Sequence, residues 1–167
     1  MINKIQKIQT IINTFQLEPH IEGGWYRRTF ESDQLTGNSS LAGTRHITTS
    51  IVYLLAQQEF SAFHKLQQYE TWHFYSGDSL LIHWFDEHGI LQSQILGNDY
   101  EKGEFPQLTI KPNTYFAAEL MEGSEYAFVG CSVSPGFHYD DFSIASRSEL
   151  ITLYPEHSKI ITKLTKK

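Results

Sequence analysis

Residues 61–77 place an imidazole, a carboxyl group and a glycine at a spacing that can do chemistry. His64 stands six residues before Glu70, and Gly77 follows seven residues after it. Apolar and polar residues alternate on both sides of Gln67 and Gln68, so two strands flank a short turn, with His64 on the first and Glu70 on the second. An imidazole facing a carboxyl group across adjacent strands can act as base and acid, or supply part of a metal site. The competing structural reading is a satisfied buried pair. His73 is a conceivable third ligand. Strand alternation, however, puts Glu70 and Trp72 on one face and Thr71 and His73 on the other.

Other candidates are weaker. His20, Glu22, Gly23, Gly24 and Arg27 form a rim loop in which glycines allow close backbone approach. In a pocket, Arg27 would be the natural anion anchor; it could equally pair with Glu22 or a partner subunit. His138, Asp140 and Asp141 are metal-capable but diverge along an extended segment, which reads as a solvated loop. His46, His83 and His88 lack partners at ligand spacing and read as surface residues. Cys131 lies in an apolar strand without a flanking base, the setting of an inert buried thiol.

The elements that must hold these groups are legible from periodicity. Ile2, Ile5, Ile8, Ile12 and Phe15 recur every three or four residues, which predicts a helix over 1–16. Short β-branched and aromatic runs follow at 25–30, 45–55, 60–66, 70–75, 80–85, 90–96, 107–110, 114–120 and 126–133. Glycine, proline, asparagine and aspartate punctuate them. That many strands close into a barrel or sandwich, because only a closed or doubled sheet buries all their apolar faces. Ser146 and Glu149 have the spacing of a capping box, predicting a second helix over 146–154 that stops at Pro155. The lysine-rich end reads as a solvated tail.

With 167 residues, one domain is expected, and 40% hydrophobic against 19% charged residues is a globular balance. A net charge of −6 argues against nucleic-acid binding, which needs a basic face. The longest apolar runs are too short to span a bilayer, and Lys4, Gln6, Lys7 and Gln9 interrupt the opening segment. One cysteine excludes an internal disulfide. A cytoplasmic location, with neither membrane nor nucleic acid as partner, is expected.

His64, Glu70 and Gly77 together resemble the first motif of the cupin superfamily, His-x-His, a short gap, Glu, six residues, then Gly. Further stretches narrow the resemblance to an uncharacterised cupin family, DUF985 or Cupin_5. They are residues 17–27, Arg45 with Thr48, Ile51 and residues 53–55, residues 96–99, Gly103 with Glu104 and Pro106, residues 130–137, Asp141 with Phe142, and residues 154–157. The resemblance implies an all-β fold, a double-stranded β-helix or cupin jelly roll, here over 25–142 with a helix at each end. It also implies a homodimer, as cupins commonly form, with the aromatic excess covering the outer sheet face.

Departures from the metal-binding cupin pattern bear on function. The second motif-one histidine falls on Leu66. The second motif falls on residues 112–117, where Thr114 replaces glycine and Ala117 replaces histidine. Two of four ligands remain, so no metal and no other cofactor is expected. If His64 faces inward, so do Ala62 and Leu66, and Glu70 brings Trp72 and Phe74 with it. The inward set on the motif-two strand is read as Tyr115, Ala117 and Glu119. Such a cavity, apolar and aromatic with one imidazole and one or two carboxyls, suits a small organic ligand.

The expected function is therefore small-molecule binding with metal-independent isomerase- or epimerase-like chemistry, by analogy with nucleotide-sugar epimerases of the cupin superfamily. His64 and Glu70 would be catalytic, and Trp72, Tyr115, Glu119 and Arg27 would bind substrate. The alternatives are a divergent metal-dependent cupin such as a dioxygenase, or a non-catalytic binding or storage-like cupin.

Overall fold

The computed structural model describes residues 4–37, 41 and 43–166. In chain order its elements are α1 (Lys4–Phe15), β1 (Glu18–Pro19), β2 (Trp25–Glu31), β3 (Leu35–Gly37), β4 (Thr44–His46), β5 (Thr49–Ala56), β6 (Phe60–Leu66), β7 (Tyr69–Gly77) and β8 (Leu80–Phe85). These are followed by β9 (Leu91–Leu96), β10 (Gln107–Ile110), β11 (Phe116–Leu120), β12 (Tyr126–Ser134), β13 (Phe142–Ile144), α2 (Arg147–Leu153) and α3 (Ser158–Lys163). Strand residues make up 46% and helical ones 21%, in antiparallel sheets of the cupin type.

Two sheets face each other. One runs β1-β2-β5-β12-β7-β10 and the other β13-β6-β11-β8-β9, with β3 and β4 forming a separate hairpin. Alternation fills the space between them: Tyr53 and Leu55 from β5, Trp72 from β7, Leu80 and Ile82 from β8 and Phe116 from β11 are fully or almost fully buried there. The expected strand over 45–55 is broken near Ile47, because β4 leaves the main sheet to pair with β3.

Helices cover the outer faces. Ile8, Ile11 and Ile12 of α1 lie with Leu54 and Phe128 on the six-stranded sheet, and Phe15 meets Phe128 at 4.9 Å between ring centroids. Ile2, part of the predicted helix, lies outside the described residues. The five-stranded sheet is covered by α2 and α3, where Leu150, Ile161 and Leu164 pack fully buried with Phe63, Phe85 and Ala117. The lysine-rich end is thus not a free tail. Ile160, Ile161 and Leu164 recur at helical spacing and dock it. Ser146 precedes α2 without a side-chain capping bond and pairs with the Ser148 hydroxyl instead. Among the described residues no helix is long and apolar enough to cross a membrane.

Candidate functional site

A cavity of about 300 Å³ opens between the two sheets, and His64 and Glu70 both line it. The turn at Gln67 and Gln68 carries the chain from one sheet to the other, so His64 stands on the five-stranded sheet and Glu70 on the six-stranded one. They do not pair with each other. His64 meets Glu22, Nε2 to Oε2 at 3.2 Å, with both side chains almost wholly buried.

Glu22 is delivered by the loop after β1. Gly23 and Gly24 adopt φ of +119° and +68°, and a Cβ on Gly23 would fall 2.1 Å from the Phe60 carbonyl oxygen. The Ala62 N–H donates to the Glu22 carbonyl at 2.9 Å, and the Tyr53 hydroxyl donates to the Gly23 carbonyl at 2.7 Å. With its backbone pinned this way, the loop presents the Glu22 side chain to β6. There the Ser61 hydroxyl donates to Oε1 at 2.9 Å. His20, at the loop's start, places Nδ1 3.6 Å from Glu22 Oε2.

Hydrogen bonding fixes the proton inventory. His64 Nδ1 lies 2.7 Å from the Ala62 carbonyl, which can only accept, so Nδ1 carries the hydrogen. In the neutral ring Nε2 then offers a lone pair to Glu22. That contact is favourable only with a proton between the two, so the pair holds one. Burial holds His64 down at about 4 and pushes Glu22 up, so of the two groups it is the carboxyl that holds the shared proton. Burial pushes Glu70 up to about 8, so it too is protonated at neutral pH. Its Oε2 has no hydrogen-bond partner among the described residues.

The remaining expected site residues lie elsewhere. Trp72 shares Glu70's face but sits deeper, fully buried against Tyr53 and Phe116, and does not line the cavity. Tyr115 and Glu119 belong to the outer face of β11. Tyr115 lies under the Lys65 ammonium, and Glu119 pairs with His83 and Lys163. The inward residues of that strand are Phe116 and Ala118, which stand opposite His64 and Ser61 of β6. Phe116, not Ala117, faces His64, with ring centroids 4.1 Å apart. On β2 the face is likewise opposite to expectation: Tyr26 and Arg28 line the cavity and Arg27 does not. His73 points away from the cavity, between Ser132 and Gln107.

Two further readings change. His83 is buried rather than superficial, held by Ser93 at 2.7 Å and Glu119 at 3.3 Å. Asp141 is also buried. It accepts from Arg45 Nε at 2.6 Å, from Arg45 Nη2 at 2.8 Å and from Gln68 Nε2 at 2.5 Å. Arg45 holds the Asp141 carboxyl below its usual range. This network ties the turn between β6 and β7 to the segment whose Phe137, Tyr139 and Phe142 wall the cavity. Sequence reasoning singled out neither these aromatics nor Tyr26 and Arg28. Glu22 and His20 were seen as rim residues, and the Gly-Gly pair beside Glu22 was the available signal.

The family description Cupin_5, Cupin superfamily (DUF985), matches residues 9–145. The chain belongs to this cupin family. It is 28% identical over 156 residues to the yeast Uncharacterized protein YML079W (Saccharomyces cerevisiae), covering 80% of this chain and 73% of that one. The family fold is also that of a hypothetical protein from Leishmania major, with a TM-score of 0.88 and 30% identity over 95% of this chain and 98% of that one. Protein SO0799 from Shewanella oneidensis superposes with a TM-score of 0.87 and 35% identity over 95% and 96%. Oxalate decarboxylase from Bacillus subtilis shares the fold alone, at a TM-score of 0.56 and 14% identity over 89% of this chain and 37% of that one.

Many cupins hold a metal, so the donors of this Cupin_5 chain were compared with that requirement. Leu66 lines the cavity where a second motif-one histidine would stand, and Ala117 packs on the outer face. Among the described residues no three His, Cys, Asp or Glu side chains converge to hold an ion. The donors among the described residues therefore do not fit a metal.

The buried titrations carry a stability signature. Glu70 is raised from 4.5 to about 8, so the stability linked to its proton is complete below about 4.5 and lost as pH rises through 8. His64 is lowered from 6.5 to about 4, so its contribution is lost as pH falls from 6.5 towards 4. The two slopes oppose each other between 4.5 and 6.5, so the loss of stability from pH 6.5 to 8 falls to Glu70. Urea midpoints of the wild type should fall over pH 6.5–8, and those of Glu70→Gln should fall less steeply. Parallel curves would show that Glu70 is not held protonated.

Proposed function

We propose that this cupin binds a small organic molecule and moves protons on it without a metal, an isomerase- or epimerase-like activity with His64 as base and Glu70 as acid. The carrying observation is that a buried His64–Glu22 pair and the buried, unpaired Glu70 carboxyl line one cavity, with His64 and Glu70 on opposite sheets. Glu22 sets the proton count of the base: turning its O–H away frees the His64 Nε2 lone pair without changing the pair's charge. Tyr26, Phe137, Tyr139 and Phe142 supply aromatic walls for a ring or carbon chain.

Arg28 takes the anchoring role expected of Arg27. Its side chain is 42% exposed at the cavity wall, paired with Glu31 and lying over the Phe137 ring. An anionic substituent could exchange with Glu31 there, since exposed ion pairs are weak. The same reading places the protein in the cytoplasm as a homodimer. Exposed Phe30, Leu35 and Ile47, clustered around the β3–β4 hairpin, supply apolar surface for such contact.

The test is proton exchange. Sugars, sugar nucleotides and small hydroxy acids are incubated with the protein in D₂O, and loss of C–H signals is followed by NMR. Exchange by the wild type that His64→Ala abolishes is the expected result. Equal exchange by both proteins, or none above the buffer rate, would overturn the proposal.

A further inference from the structure

Resting on that reading, the geometry points to an α-hydroxy aldehyde or ketone as the substrate, with Glu70 donating a hydrogen bond to its carbonyl oxygen while His64 takes the neighbouring C–H proton. The argument starts from where the electrons go. Breaking a C–H bond leaves an electron pair that must be stored. The cavity lining contains no lysine to form an imine, and its donors do not fit a metal. The pair must therefore move into a group the substrate itself carries, and a carbonyl next to the C–H bond is such a group.

Glu70 is the residue that can receive the developing charge. Its side chain is buried, lines the cavity and leaves Oε2 without a partner. A carboxyl group kept neutral in an apolar wall is a hydrogen-bond donor, and a donor aimed at a developing oxyanion is among the strongest catalytic devices available. The dry surroundings that keep the proton on Glu70 also strengthen that bond. Trp72 and Cys131 flank the carboxyl without supplying a cation.

The step balances as follows. Glu22 turns its carboxyl O–H away from His64 Nε2, and the freed lone pair takes the proton from the carbon bearing the hydroxyl. The C–H pair becomes a C=C bond, and the carbonyl π pair moves to oxygen, which receives the Glu70 proton to give an enediol. Glu70 then takes the proton of the other hydroxyl while His64 returns its own to the former carbonyl carbon. The carbonyl has moved by one carbon, and both protein groups are restored. A single base on one sheet returns the proton to the face it came from, so this geometry favours a 1,2-shift over inversion at carbon. The cavity, about 300 Å³, lies at the small end for ligand sites, and Arg28 suits a substrate with an anionic tail.

Two measurements on the full chain test this. In the first, 4-nitrophenol, whose phenolate imitates the enediolate oxygen, is titrated by its absorbance. The wild type and Glu70→Gln, whose amide keeps an N–H donor, should bind within about threefold of each other. Glu70→Ala should bind at least about tenfold more weakly. Wild-type binding should be lost above pH 8, where Glu70 ionises. In the second, deuterium from D₂O should enter dihydroxyacetone and, faster, its phosphate. Equal phenolate binding by the wild type and a folded Glu70→Ala would overturn the role of Glu70. Exchange confined to compounds lacking an aldehyde or ketone would overturn the substrate class and leave the proton-transfer reading standing. No exchange into any compound would overturn both.

Discussion

Glu22→Gln is expected to slow proton exchange by about 10²–10⁴-fold while the fold holds. The amide matches the carboxyl in size, and its oxygen can still accept from Ser61. Its N–H can donate to His64 Nε2, so the imidazole stays where it is. What the amide cannot do is turn that hydrogen away, because its planar NH₂ always presents one to the ring where a carboxyl O–H can rotate. Nε2 is then permanently occupied, and the base has no lone pair for the substrate. Thermal unfolding should change little, because Glu22 is already neutral in the folded chain and Gln introduces no charge. A variant that exchanges protons at the wild-type rate would remove the pair from the mechanism.

Ile161→Ala should lower stability by about 3 kcal/mol and Tm by roughly 10 °C. Ile161 is fully buried on α3 and packs with Leu150, Phe63 and Phe85 against the outside of the five-stranded sheet. Phe85 also stacks on Tyr154 at 3.8 Å, so α2 and the turn after it share the same apolar layer. Losing three carbons there opens a gap that the rigid sheet below cannot close. The same substitution in a solvated tail would cost almost nothing, so calorimetry distinguishes the two placements cleanly. A Tm within a degree or two of the wild type would mean that α3 does not hold the barrel.

The strand pattern was highly legible. β6, β8 and β10 have the bounds that their β-branched and aromatic runs and flanking turn residues predict. The site was legible only where local periodicity carries the information. The faces of His64 and Glu70 can be counted forward because the register breaks of β6 and β7 fall outside the stretch that joins them across a tight turn. Alternation says which residues share a face but not which face is inner. Tyr115 and Glu119 do share one face, yet Phe116 and Ala118 take the inner one, and on β2 Tyr26 and Arg28 line the cavity rather than Arg27. Glu22 lay beyond counting, since a loop pinned by Gly23 and Gly24 carries it to β6 from a distant part of the chain. Asp141 was hidden for a similar reason: its partners Arg45 and Gln68 come from two other segments.

Because His64 and Glu70 ride on opposing layers, no bond angle or rotamer near either one sets the gap between them. That gap is the thickness of the sandwich, and the thickness is decided by how Tyr53, Trp72, Leu80 and Phe116 fill it. Evolution could therefore retune the reach of this pair, and with it the size of molecule it grips, by trading bulk among residues that never touch the guest.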